Sequence, residues 1–108
     1  MAYGELKEFA EEALSFDWVQ MVDIVATVHR SDGGDVDGAE VLRRAGDGAA
    51  QLVRDGILVP GWIGDDGFEP WESTVDESAE RIRREVREVA ERGGEITLGD
   101  IAWFAAPE

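Results

Sequence analysis

The chain contains no cysteine, a single histidine, His29, a single lysine, Lys7, and only three prolines. Without cysteine there is no disulfide framework, no thiolate nucleophile and no Cys-based zinc site, so a reducing, cytoplasmic location is the expectation. One histidine with no cysteine leaves neither an ordinary zinc enzyme nor a nucleophilic triad. No apolar run approaches the roughly 18 residues that a membrane helix needs. The opening MAYGELKEFAEEAL has no basic leader region and spaces its apolar residues as a helix does, so neither a signal peptide nor membrane insertion is expected. Positive charge is also scarce. Ten Lys and Arg face 25 Asp and Glu, for a formal net charge of -15. Such a field repels phosphate backbones and anionic lipid and attracts a basic protein surface or a metal cation. The same acidity would also follow from selection for solubility or from an acidic proteome, which nine arginines to one lysine would suit.

What is present suffices to fold. With 108 residues and 44% apolar content, the chain has room for one hydrophobic core, and a single domain over 1–108 is expected. Leu6, Phe9, Ala10, Ala13 and Leu14 recur at helical spacing, which predicts a helix over Glu5 to Leu14 with Glu5, Glu8, Glu11 and Glu12 outside. A second helix is expected from Asp17 as its cap, with Gln20 at the capping-box position, Phe16 stapled to Met21, and a buried stripe of Trp18, Met21, Val22, Val25 and Val28. Residues 31–38, SDGGDVDG, read as a loop. Asp37 with Glu40 and Val36 with Val41 then launch a third helix that ends at Asp55 and Gly56. Gly46 and Gly48 inside it each cost about 1 kcal/mol relative to Ala and predict a kink or a turn.

Ile57, Leu58, Val59, Trp62 and Ile63 read as a short strand, and Pro60 places it at a sheet edge or bend. Thr74 with Glu77 caps a fourth helix whose stripe is Val75, Ala79, Ile82, Val86 and Val89, closed by Gly93. Its outer face offers the pairs Glu77 with Arg81, Glu80 with Arg84 and Glu88 with Arg92. Ile96, Leu98 and then Ile101 to Ala105 supply late strand material, able to pair antiparallel with 57–63.

Few motifs carry chemistry. DGGDVDG in an EF-hand register places Gly33 and Arg44 where the first and last carboxylate ligands belong. AGDGAAQ opens like a dinucleotide fingerprint, but Gln51 replaces its last small residue and no strand precedes it. Two glycosidase carboxylates would need a deep sugar cleft for which the chain has little room. No catalytic residue, cofactor or metal site is therefore expected. GWIGDDGFEPWE, residues 61 to 72, is the informative stretch. It sets Trp62, Phe68 and Trp71 beside Asp65, Asp66, Glu69 and Glu72, within a segment from Asp55 to Glu80 that has no Lys, Arg or His. Aromatics within a ring of carboxylates suit a basic protein partner, charge setting the encounter rate and the rings holding the complex. These seven residues are the candidate partner-binding set, whether the rings lie outside or are tucked against the core.

Three helices followed by LVRDGILVPGW and the late apolar DIAWFAA resemble a winged-helix domain with a helix inserted in the wing. The resemblance implies an α+β, mostly helical fold with four helices and a small antiparallel sheet of two or three strands. Winged-helix domains often bind DNA through the third helix, where Arg43, Arg44 and Arg54 are here opposed by Glu40, Asp47 and Asp55. By composition the chain is similar to immunity proteins that neutralise basic bacterial nucleases and other toxins. That likeness implies carboxylates that mimic phosphates and occlude a cationic site. Two functions follow as expectations. One is a non-catalytic acidic protein-binding module of the immunity or antitoxin kind. The other is a winged-helix-like regulatory or oligomerisation domain that does not bind DNA directly, forming a homodimer through the Val75 to Val89 stripe.

Overall fold

A computed structural model describes all 108 residues. In chain order the elements are α1 (Tyr3–Leu14), β1 (Val19–Gln20), α2 (Met21–Asp32), α3 (Gly38–Arg54), β2 (Val59–Gly64), β3 (Gly67–Pro70), α4 (Val75–Glu91) and β4 (Trp103–Ala105). The fold is α+β and mostly helical, with four helices and one antiparallel sheet. That sheet has four strands in the order β1-β4-β2-β3, where two or three were expected. The pairing of 57–63 with the late strand holds: Val59, Pro60 and Gly61 face Ala105, Phe104 and Trp103. None of the helices is long and apolar enough to cross a membrane.

Pro60 was expected to mark a sheet edge or a bend, and β2 is not an edge: it lies between β4 and β3. The stagger explains how proline is tolerated. Residues 59–61 pair with β4, residues 61–64 pair with β3, and only Gly61 has partners on both sides. The Pro60 carbonyl accepts from the Trp71 backbone N–H, just past the end of β3. A strand residue aims its C=O and its N–H the same way, so the missing donor falls where that ladder stops.

Capping holds for two helices and shifts for a third. The Glu40 N–H donates to Asp37 at 2.8 Å, and Thr74 with Glu77 forms a reciprocal box at 3.1 and 3.0 Å. In α2, however, Gln20 is the N-cap and Asp23 accepts its N–H at 2.8 Å; Asp17 only receives the neighbouring Trp18 N–H. Val19 and Gln20 form a strand with β4, so the helix cannot begin until Met21. The expected staple is not made, and of the expected stripe Trp18 alone leaves the core, while Val22 and Val25 pack against the core. Phe16 is 84% exposed and Trp18 is 40% exposed, while Met21, Ile24 and Val28 are buried.

The core joins Leu6, Met21, Ile24, Leu52, Val53, Ile82, Val86 and Phe104. Each large apolar side chain so buried contributes on the order of 2 kcal/mol. Gly46 and Gly48 do not split α3, which is one continuous helix, and their missing side chains admit neighbours: Val86 packs against Gly46, and Leu6 against Gly48. Ala79, Ile82, Val86 and Val89 are accordingly buried inside the monomer. The stripe expected to face a second copy is occupied by α3, and only Val75 remains exposed.

Candidate protein-binding site

The hairpin β2–β3 is built by the GDDG turn. Asp65 and Asp66 occupy it, and Gly67 follows with φ 108, a backbone that a side chain would strain. Trp62 pairs with Glu69 and Ile63 with Phe68. Residues directly opposite share a face, and neighbours along a strand do not. Trp62 and Glu69 therefore lie on the side of Pro60, Phe104 and Val19, which face the core, while Ile63 and Phe68 lie on the other side.

Pleating thus divides the three aromatics expected to act together. Trp62 and Trp71 meet with ring centroids 5.8 Å apart. Phe68 instead meets Trp18, at 6.3 Å. Nor is the first pair without a cation. The Arg81 guanidinium stands 4.0 Å from the Trp71 ring centroid and 5.8 Å from that of Trp62. Arg81 begins where the cation-free segment ends, and the first turns of α4 carry it back over the end of β3. It is held from the other side by Glu85, at 2.6 Å, rather than by Glu77, which reaches back to cap α4. Trp62, Glu69, Trp71, Glu72, Ser73 and Arg81 line an open cleft of about 570 Å³, where the Trp71 Nε1 hydrogen is buried without an acceptor.

The carboxylates behave differently from the rings. Asp65, Asp66, Glu69 and Glu72 are exposed and enter no ion pair and no hydrogen bond. Most arginines are instead engaged on α3 and α4: Arg43 and Arg44 with Glu40, Arg54 with Asp76 and Glu80, Arg83 with Asp47 and Glu80, and Arg87 with Asp47. The expected pairs Glu80 with Arg84 and Glu88 with Arg92 are not made; Glu80 turns instead to Arg54 on α3 and to Arg83 on its own helix. The hairpin carboxylates have no ion-pair partner, and Arg81 is the cation that shares their cleft.

Two further cavities are built differently. One of about 330 Å³ includes Tyr3, Asp32 and Arg44, where the buried Asp32 carboxylate takes the Met1 ammonium and Arg44 at 3.1 Å. Those donors, the ammonium foremost, with Ser31 and then Arg44, hold its pKa down at about 2. Nearby, burial and the Asp55 carboxylate hold the Tyr3 proton well above the ordinary phenol range, and Tyr3 donates to Asp55. A cavity of about 490 Å³ is lined largely by apolar groups, among them Val25, Leu42, Ala90 and Ile96, with the exposed His29 at its margin. No three His, Asp or Glu side chains gather closely enough to hold a metal ion.

Of the candidate set, then, the structure joins Trp62, Trp71, Glu69 and Glu72 at one cleft, puts Asp65 and Asp66 at the hairpin tip, and sends Phe68 to the opposite face. Sequence reasoning missed Arg81, Phe16, Asp17 and Trp18. The available signal was the strand-favouring Phe16, Trp18 and Val19 in FDWVQ, which suit a strand entering a sheet as well as a helix start. No family model matches the chain, and neither the curated proteins nor the solved structures contain a match.

Proposed function

We propose that the protein is a non-catalytic, acidic protein-binding module that captures a basic protein, as an inhibitor of the immunity or antitoxin kind does. The observation that carries this reading is the set Asp65, Asp66, Glu69 and Glu72: exposed and unpaired along and just past the β2–β3 hairpin, which also presents half-exposed aromatic rings. An exposed carboxylate that is neither capping a helix nor pairing with an arginine adds nothing to the fold and repels its neighbours. Four of them on one arm raise the local negative potential, which steers a cationic partner and speeds its encounter. The aromatic rings then supply the area that slows dissociation. Binding of this kind blocks a cationic site by occupancy, with no bond made or broken by the module.

Pull-down at low and high salt tests it. Capture of a basic partner should fall with added salt and should be abolished by Asp65→Lys with Asp66→Lys. Capture indifferent to both would overturn the reading.

The alternative, a winged-helix-like regulatory domain, draws support from one observation. The order α1-β1-α2-α3-β2-β4, with β3 and α4 inserted before the last strand, accompanies the antiparallel sheet order β1-β4-β2. In that reading α3 would be the surface offered to a partner, yet Arg43, Arg44 and Arg54 are already paired with carboxylates, which leaves little for a phosphate backbone. Light scattering separates the alternatives, since a regulatory dimer must form through some surface other than the buried α4 stripe.

A further inference from the structure

We propose that the outer face of the sheet, centred on Trp18 and Phe68, is where a cationic protein segment docks. This rests on the protein-binding reading and moves its centre away from the Trp62–Trp71 cleft. Val19, Pro60 and Phe104 are buried on the core side. Strand alternation puts Trp18, Val59, Ile63, Phe68 and Trp103 on the other. That face stays partly open: Trp18 and Ile63 are 40% and 38% exposed, and Val59, Phe68 and Trp103 are half-buried.

Trp18 and Phe68 belong to opposite edges of a four-stranded sheet, yet their rings approach to 6.3 Å. Their side chains therefore meet over this face of the sheet. Gly61 leaves room for the Phe68 ring, because a Cβ there would stand 2.6 Å from the Phe68 Cζ atom. Phe16, two residues before Trp18, is almost wholly exposed. An apolar surface rich in aromatic rings is characteristic of protein interfaces.

Charge identifies the occupant. Asp17 adjoins Trp18 in sequence, and the Trp18 ring lies 4.0 Å from where a Cβ on Gly67 would stand, hence beside the Asp65–Asp66 turn. None of these three carboxylates has an arginine or lysine partner. A second copy would set the same three anions against themselves, and nucleic acid or an anionic membrane would meet the same repulsion. The Trp62–Trp71 pair differs because Arg81 already covers it. The surface therefore fits a protein segment in which arginine or lysine flanks an apolar side chain.

The test is to titrate the isotopically labelled full chain with a short synthetic peptide of alternating arginine and leucine, and with its glutamate-for-arginine counterpart. The arginine peptide should shift the amide signals of Phe16 to Trp18, Ile63, Gly67 and Phe68, and the glutamate peptide should not bind. Trp18→Ala, and Asp65→Lys with Asp66→Lys, should each weaken binding about ten-fold. Phe16→Ala, too exposed to disturb folding, should weaken it as well, whereas Val75→Ala, at an exposed apolar position on α4, should leave it within about two-fold. Shifts concentrated on Glu5, Glu8, Glu11 and Glu12 of α1 would overturn the proposal, as would self-association abolished by Trp18→Ala in sedimentation. Binding that follows the Asp65 and Asp66 reversals but ignores Trp18 and Phe16 would overturn this docking face and leave the protein-binding reading standing. Binding indifferent to all of them would remove both.

Discussion

Arg81 lies over Trp71 at 4.0 Å, and this contact decides which of the aromatic residues remain available. A guanidinium stacked on an indole gains from the ring quadrupole while its stem covers apolar surface. Arg81→Ala should therefore lower stability by about 0.5–2 kcal/mol and shift tryptophan emission to the red. Arg81→Lys keeps the charge but loses the planar stack, so it should fall between the two. Urea titration followed by fluorescence checks both, and an Arg81→Ala variant as stable as the parent would show that the stack contributes nothing.

Gly46 and Val86 make the second testable contact. A Cβ on Gly46 would stand 2.9 Å from the Cβ and Cγ1 atoms of Val86, both in the core. Helix propensity alone favours Gly46→Ala by about 1 kcal/mol. Overpacking of a rigid α3–α4 contact costs about 1–3 kcal/mol, so the net effect should be destabilising. Gly48→Ala should be milder, since the obstructing atom there is the end of the Leu6 side chain. A higher urea midpoint for Gly46→Ala would contradict the close approach of the two helices.

Gly61 is the counterpart in the sheet. Gly61→Ala drives a methyl group into the Phe68 ring and the Glu69 carbonyl, and the carbonyl cannot move without breaking the hairpin register. The expected result is a loss of about 1–3 kcal/mol with a change in near-ultraviolet dichroism as Trp18 and Phe68 separate. Ordinary stability with an unchanged aromatic spectrum would count against the close packing of Phe68 over Gly61.

Asp32 should govern the acid limb of stability. Its pKa is depressed to about 2 by the Met1 ammonium, Ser31 and Arg44. A carboxylate with a lower pKa folded than unfolded stabilises the native state above its unfolded value and loses that contribution as pH falls through the folded one. The contribution is complete above about pH 4 and disappears toward about pH 2. Asp32→Asn should lower stability at neutral pH and flatten the fall over that window, as urea midpoints at stepped pH would show. An identical acid limb in parent and variant would mean that the buried ion pair does not act on folding.

Local signals were read correctly where they act within one element. The stripe Ala79, Ile82, Val86 and Val89 and the caps Asp37 and Thr74 depend on helical spacing and backbone donors a few residues away. The α4 helix and most of α3 follow from them. Gly46 and Gly48 were misread because their propensity cost is local and visible, whereas the packing that compensates it lies on α4 and α1. Trp18 was misread for a related reason: Val19 and Gln20 become a strand only because β4, more than 80 positions later, is there to pair with them.

The amino-acid sequence by itself determined the charge, the four helices, the pairing of 57–63 with the last strand, and the concentration of carboxylates with aromatics at 61 to 72. Composition and short-range periodicity suffice for the charge, the helices and the carboxylate-rich aromatic stretch, which are properties of neighbouring residues; the strand pairing was legible because few other apolar strand segments are available to pair. Only the tertiary structure decided which rings face which way. Strand pleating separates Phe68 from Trp62, the space over Gly61 lets its ring reach toward Trp18, and α4 lays Arg81 on Trp71. These depend on register and on the approach of distant elements, which no window along the chain contains.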